Sequence, residues 1–522
     1  MAVGPTLGTG VFIGAGQALA FGGPASLIIS YAFLSLLTYF MATSVAEIAA
    51  YAPSRYGTFV TNGFRYTNNS LGFATACLRW YTMAMFIPYE ITTAMVNLSM
   101  WNPGGMVAIR VGLLTFIIVG SNFLPERLFK ASEALSTRIK IGTMVSFLVM
   151  SLSIGLGGAT GYENWGFQYW HKPGPMHEFL AKGALGRFWG LLQCLLSACI
   201  AFTFAPELIV HHAEMAETAD HPEGSETTDE LRPVRRTSIP GNVFADVATT
   251  AFPYMLSSVA MGAMVAHDNP LLTNSGAGAG LSPFIIAMHT ARIRILPVTG
   301  TVAILLSSVA SGRSFLYMAS RSLCALAEVD QAPAMFKRRT SWGVPWVAVT
   351  VTATFALLAF ICVAVSSTIM FNYFLLFVTS SGYLSWLMSC IIYRRFRQRL
   401  QFQGVKYVHK FSVQPFGTYV GFFFSGLLLV ANGLSSAQPG SGSGLRGLKI
   451  LATYISIPIF LVLYLAHRFW DLVPGSRSHS QESSVKEPPE TRVNKDRPQQ
   501  APEGAPPTAI ELDQIWTMAR EV

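Results

Sequence analysis

Two interruptions in long apolar runs carry the residues best suited to chemistry: Gly8-Thr9-Gly10 near the start, and Phe202-Thr203-Phe204-Ala205-Pro206-Glu207 near the middle. Gly8 and Gly10 let the backbone unwind without a Cβ clash. A helix resuming at Val11 then offers orphan N–H groups and the positive end of its dipole, which is a site for an anion such as a carboxylate. At the second interruption Pro206 has no N–H, and its ring excludes the usual carbonyl one turn back. Carbonyls near Phe202 and Thr203 are thereby freed, and freed carbonyls suit an ammonium. A metabolite with carboxylate and ammonium on one carbon satisfies both breaks, and an α-amino acid is the commonest such compound. Two packing kinks are the alternative, because Gly and Pro are frequent in membrane helices.

The elements that must position these residues are membrane helices. The chain has 522 residues, 51% hydrophobic and only 12% charged, with a mean hydropathy of +0.42. Runs able to cross about 30 Å of hydrocarbon, roughly 20 residues each, fall at 1–20, 24–46, 71–99, 106–124, 139–158, 188–213, 243–266, 296–319, 345–366, 370–393, 416–434 and 448–469. About twelve spans are therefore expected in an all-α integral membrane protein. Broken backbone at lipid depth is tolerated only where it is buried in protein or lines a cavity. Two such breaks at corresponding places in two halves point to a transporter's substrate site.

The net charge of +9 does not indicate a nucleic-acid partner, because its distribution follows the bilayer. Arg127, Lys130, Arg232, Arg235, Arg236, Lys337, Arg338, Arg339, Arg394, Arg395, Arg397, Arg399, Lys406 and Lys410 lie in alternate connections, which the positive-inside rule makes cytoplasmic. Both termini then face the cytosol. The six cysteines show no CxxC spacing and read as small packing residues; neither a metal site nor a cofactor is expected. His211 and His212 read as a solvated helix end, with a pH sensor as the other possibility. The first apolar run leads straight into the break and a second span, so no cleavable signal peptide is expected. Residues 214–242 form an acidic-then-basic connection that suits a solvated loop. Residues 1–470 form the transporter domain, and 471–522 read as a disordered cytoplasmic tail open to cytosolic partners. Leu512, Ile515 and Trp516 give that tail the spacing of a short docking helix.

A resemblance adds to this reading. Gly8-Thr9-Gly10-Val11-Phe12-Ile13-Gly14, followed by Ala46-Glu47-Ile48-Ala49-Ala50-Tyr51-Ala52-Pro53, resembles the opening of the fungal amino acid permeases of the amino acid-polyamine-organocation superfamily. Ser282-Pro283-Phe284, Leu296-Pro297, Ser314 through Tyr317, Ser320 through Ala327, Ala332-Pro333 and Gly343-Val344-Pro345 follow in the family's order. The resemblance implies a LeuT-like fold, with two inverted five-helix repeats, two discontinuous helices and two peripheral spans. It implies proton-coupled amino acid uptake across the plasma membrane by alternating access. On that model Thr9 and Gly10, beside Gly8, would correspond to the carboxylate-binding turn, Phe204, after Phe202 and Thr203, to the aromatic that caps the substrate, and Glu207 to the glutamate that follows the second break. Charged residues at lipid depth default to functional candidates, so Glu207, Lys140 and Glu90 are the candidates for proton coupling. In related proton-coupled carriers a lysine in the fifth span stands where sodium-coupled ones bind the ion, which bears on Lys140; a snorkelling interfacial lysine is its alternative. Glu47 is expected to be structural.

Three departures from the family pattern bear on function. The family's second break usually reads Gly-Thr-Glu, whereas this chain has Ala205-Pro206-Glu207. Arg79 and Arg313 stand where the family usually has uncharged residues. Only Met1 to Leu7 precede the first break, a rise of about 10 Å if helical, so native N-terminal residues and part of the first helix are expected to be missing. The reading is a transporter and not an enzyme. A non-transporting amino acid sensor of the same fold, or a carrier for choline, 4-aminobutyrate or a polyamine, are its alternatives.

Overall fold

A computed structural model describes residues 10–51, 58–101, 106–155, 167–206, 238–272, 282–293, 296–402, 411–436 and 443–472. Gly8, Thr9, Glu207, His211, His212, the 214–237 connection and the tail from 473 onward lie outside the described residues. All regular structure among the described residues is helical. The helices used below are α1 (Ala15–Tyr51), α2 (Thr58–Tyr66), α3 (Asn69–Trp101), α4 (Val107–Ser121), α5 (Glu126–Gly155), α6 (Gln168–His171), α7 (Ala184–Ala198), α8 (Ser238–Met264), α9 (Pro283–Thr290), α10 (Leu296–Glu328), α11 (Trp346–Ala353), α12 (Ser367–Phe402), α13 (Phe416–Ser436), α14 (Ser443–Tyr454) and α15 (Ser456–Leu472).

Among the described residues, eight helices are long and apolar enough to cross a membrane. The difference from twelve has three physical sources. Gly23 has φ 81°, a left-handed value open to glycine, and Pro24 follows it, so the continuous stretch Gly10–Ala50 is two spans meeting at a sharp turn. Pro175 O, which accepts the Ala25 N–H, would lie 2.9 Å from a Cβ at Gly23 and leaves room only for a hydrogen. The last span is bent by 45° between α14 and α15. Finally, α3 and α4 do not qualify on length and hydropathy together.

Helix α3 explains that result. It packs against α10, α12 and α15, and it buries Arg79, Thr82, Glu90, Thr92, Thr93 and Asn97. A helix lined by other helices need not be apolar all round, because its polar groups find partners in protein rather than lipid. Asn97, for instance, donates to the carbonyl of Thr301 in α10 at 2.9 Å. Helix α5 shows the opposite pattern. Leu135, Ile139, Val145, Val149 and Leu152 are exposed along its outer side, while Lys140, Met144, Phe147, Ser151 and Ile154 form a buried stripe at helical spacing. Helix α1 packs on α7, α8 and α13, which brings the two interrupted segments together at the centre.

Candidate functional site

The first break opens the described chain as a π-helical turn, Gly10–Gly14, wholly buried. Such wide turns leave backbone groups out of α-helical register and recur at functional sites. The second break begins where α7 tightens into a 3₁₀ turn at Cys199–Ala201 and then loses helical form. The two breaks touch. A Cβ on Gly10 would lie 3.1 Å from Ala201 Cα and 3.2 Å from Ala201 N. Any larger side chain there forces the segments apart.

At the second break, Phe202, Thr203 and Phe204 are all buried. The carbonyls that Pro206 was expected to free have protein partners. Phe202 O accepts the Ala205 N–H at 3.0 Å, and Thr203 O accepts the indole N–H of Trp386 from α12 at 2.9 Å. Each carbonyl keeps a second lone pair, so an ammonium is still accommodated. Gly382, one turn before Trp386, lets α12 approach this closely: a Cβ there would lie 2.3 Å from Thr203 Cγ2. Phe204 faces Phe86 and Phe315 at centroid distances of 5.3 and 5.8 Å, and those two rings stack at 4.2 Å. The result is an apolar wall beside a polar backbone gap.

Of the charged candidates, Lys140 and Glu90 lie on α5 and α3 beside α10, whereas Glu207 is outside the described residues. Lys140 is 2% exposed, and its Nζ donates to Ser311 Oγ of α10 at 2.8 Å. The amine therefore points inward, away from the interface a snorkelling lysine would seek. Glu90 of α3 lies beside Gly312, whose added Cβ would sit 3.4 Å from Glu90 Cβ. Next in α10, Arg313 is bound by Glu133 of α5: Nη2 donates to Oε2 at 2.7 Å, Nη1 donates to Ser132 Oγ at 2.7 Å, and Ser314 Oγ donates to Glu133 Oε1 at 2.8 Å. The guanidinium also lies 4.7 Å from the Phe129 ring centroid. Arg313 thus has its countercharge within the helix interface. Glu47 takes the Tyr393 hydroxyl and Arg397 Nη2 at 3.4 Å, joining α1 to α12 in the structural role expected of it. Arg79 is buried in α3.

Sequence reasoning missed Trp386, Gly382, Ser311 and the Glu133–Arg313 pair. Glu133 lay outside the expected spans and carried no signal of its own. Arg313 was visible as an anomaly, and a buried arginine always needs a partner.

Two touching helix breaks, a buried lysine and nearby carboxylates among membrane-length helices fit a multi-pass membrane transporter. The chain belongs to the family described as Amino acid permease, which it matches over residues 1–472. It is 32% identical over 470 residues to a probable proline-specific permease of Schizosaccharomyces pombe, covering 89% of this chain and 82% of the relative. It is also 32% identical over 480 residues to the proline-specific permease of Emericella nidulans, covering 91% and 84%. The general amino-acid permease of Saccharomyces cerevisiae is 28% identical over 480 residues, covering 90% and 75%. Among solved structures, the fold is similar to that of a manganese transporter of Eremococcus coleocola, with TM-score 0.54, 13% identity, and coverage of 90% and 93%. At that identity the likeness concerns the fold alone, which is LeuT-like. Among the described residues no group of three or more His, Cys, Asp or Glu could hold a metal ion. Family and fold together make the chain a membrane transporter for amino acids.

Proposed function

We propose that this chain is a proton-coupled symporter that takes up amino acids across the plasma membrane by alternating access. The observation that carries the coupling is the buried Lys140 amine bonded to Ser311 at 2.8 Å, with Glu133 on the same helix and Glu90 on α3. A buried ammonium links α5 to α10; deprotonated, it loses its charge and its full complement of donors, and the link weakens. Proton occupancy then biases how the helices rock. Substrate binds where the breaks touch, its carboxylate at the turn containing Gly8, Thr9 and Gly10 and its ammonium at the carbonyls of Phe202 and Thr203. Phe204 covers it, and Glu207 follows the break as a further proton acceptor.

Proline is the first substrate to test, since two of the relatives named above are proline-specific permeases. Two local features favour it. Thr203 O already takes an indole N–H, which suits a secondary ammonium with two N–H donors better than a primary one with three. The Phe86, Phe204 and Phe315 wall is apolar, and Arg313 is neutralised by Glu133, so this wall does not invite an acidic or basic side chain. Uptake of radiolabelled proline in permease-deficient cells, with competition by a panel of neutral, acidic and basic amino acids, tests this reading. Strong competition by lysine or glutamate and none by proline would remove it.

A further inference from the structure

The transport reading makes no use of a cavity of about 510 Å³ enclosed by the ends of α12 and α13 that carry the cytoplasmic arginines. Its polar side comes from α12, through Arg394, Arg395 and Gln398; its apolar side is Ile391 with Tyr419 and Phe422 of α13. Arg397 also lines it but is paired with Glu47. Arg394 and Arg395 are exposed, and among the described residues no carboxylate lies within ion-pair distance of either. The sequence contains no Asp or Glu between Asp330 and Asp471, so α11 through α15 carry nothing before Asp471 that could neutralise them. The positive-inside rule accounts for charge at this membrane face. It does not account for a cavity of this size, nor for one with a wall that is basic and a wall that is apolar.

We propose that this cavity holds the headgroup of an anionic phospholipid of the cytosolic leaflet. Guanidinium forks match phosphate oxygens in geometry as well as charge, and basic pockets between transmembrane helices on the cytoplasmic side suit such headgroups. The apolar wall decides between a lipid and a soluble anion. Tyr419 is 56% exposed, Phe422 47% and Phe423 63%, so the α13 surface beside the arginines faces hydrocarbon and gives an acyl chain a path away from the headgroup. A free phosphate would gain nothing from that wall.

The full-length chain, reconstituted in phosphatidylcholine vesicles with or without phosphatidylserine, provides the test, with bound lipid read by native mass spectrometry. Phosphatidylserine should be retained over phosphatidylcholine. The double variant Arg394→Gln, Arg395→Gln should bind it roughly thirtyfold less tightly, and Arg395→Gln alone roughly fivefold, as expected for charges at a membrane surface. Arg338→Gln, an exposed position outside the cavity, should leave binding unchanged. Melting of each variant in phosphatidylcholine alone checks folding, and the single variant carries the test if the double one does not accumulate. Equal loss in Arg338→Gln, no loss in Arg395→Gln, or displacement of the lipid by inorganic phosphate would each overturn the proposal.

Discussion

Lys140, Gly10, Trp386 and Glu133 each have a contact that makes a definite prediction. Replacing Lys140 with Met keeps the length of the side chain and removes its charge, so uptake should lose its acid stimulation while substrate still binds. Uptake measured against external pH, beside binding measured on the purified chain, checks this. Gly10→Leu should abolish transport at normal surface abundance, since even a Cβ would lie 3.1 Å from Ala201 Cα. Trp386→Phe leaves Thr203 O without its indole donor. A buried acceptor left unsatisfied costs about 1–3 kcal/mol, and the predicted outcome is a lower melting temperature of the purified chain without substrate, with part of the loss recovered when substrate is added. Glu133→Gln leaves the Arg313 guanidinium, 8% exposed, without its carboxylate. The expected loss is about 3 kcal/mol, visible as lower expression and a lower melting temperature, with partial rescue by adding Arg313→Gln.

At the scale of elements, the legible features were those written locally in the chain. Length and apolarity marked most spans. The paired breaks at Gly8-Thr9-Gly10 and Phe202 through Glu207 marked where to look, and in the structure Gly10 lies against Ala201, next to Phe202. The rest came from partners distant in sequence: Trp386 reaches Thr203 across 183 residues, and Lys140 reaches Ser311 across 171. An isolated Ser or Trp in an apolar run carries no sign of such a partner. The predicted freeing of the Thr203 carbonyl ignored this, since proline's effect on its own helix says nothing of a donor on another. The outer connections hold a further test. His177 Nδ1 bonds to Ala20 O at 2.9 Å, and its ring lies 4.8 Å from that of His267. Burial, and then the neighbouring His177, hold His267 below the usual histidine value, with Asp268 opposing them. The folded chain therefore binds fewer protons here than the unfolded one. The corresponding stability is present above the ordinary value of about 6.5 and is lost as pH falls from there through the lowered value of the folded chain. Melting of His267→Gln should fall less on acidification than that of the unmodified chain.

For the whole molecule, the account requires that proton binding between α5 and α10 and substrate binding at the breaks bias the same rocking motion. A ligand shifts a conformational equilibrium only by its difference in affinity for the two states, so each should strengthen the binding of the other. A sensor of the same fold would bind substrate without moving it, and a uniporter would move it without regard to protons. The most direct test is proline accumulation by the full-length chain in sealed proteoliposomes with an acidic exterior and neutral interior. The account predicts accumulation above the external concentration, collapse on adding a protonophore, and only equilibration in Lys140→Met. Equilibration of the unmodified chain regardless of the gradient, or saturable binding with no internal proline, would contradict it.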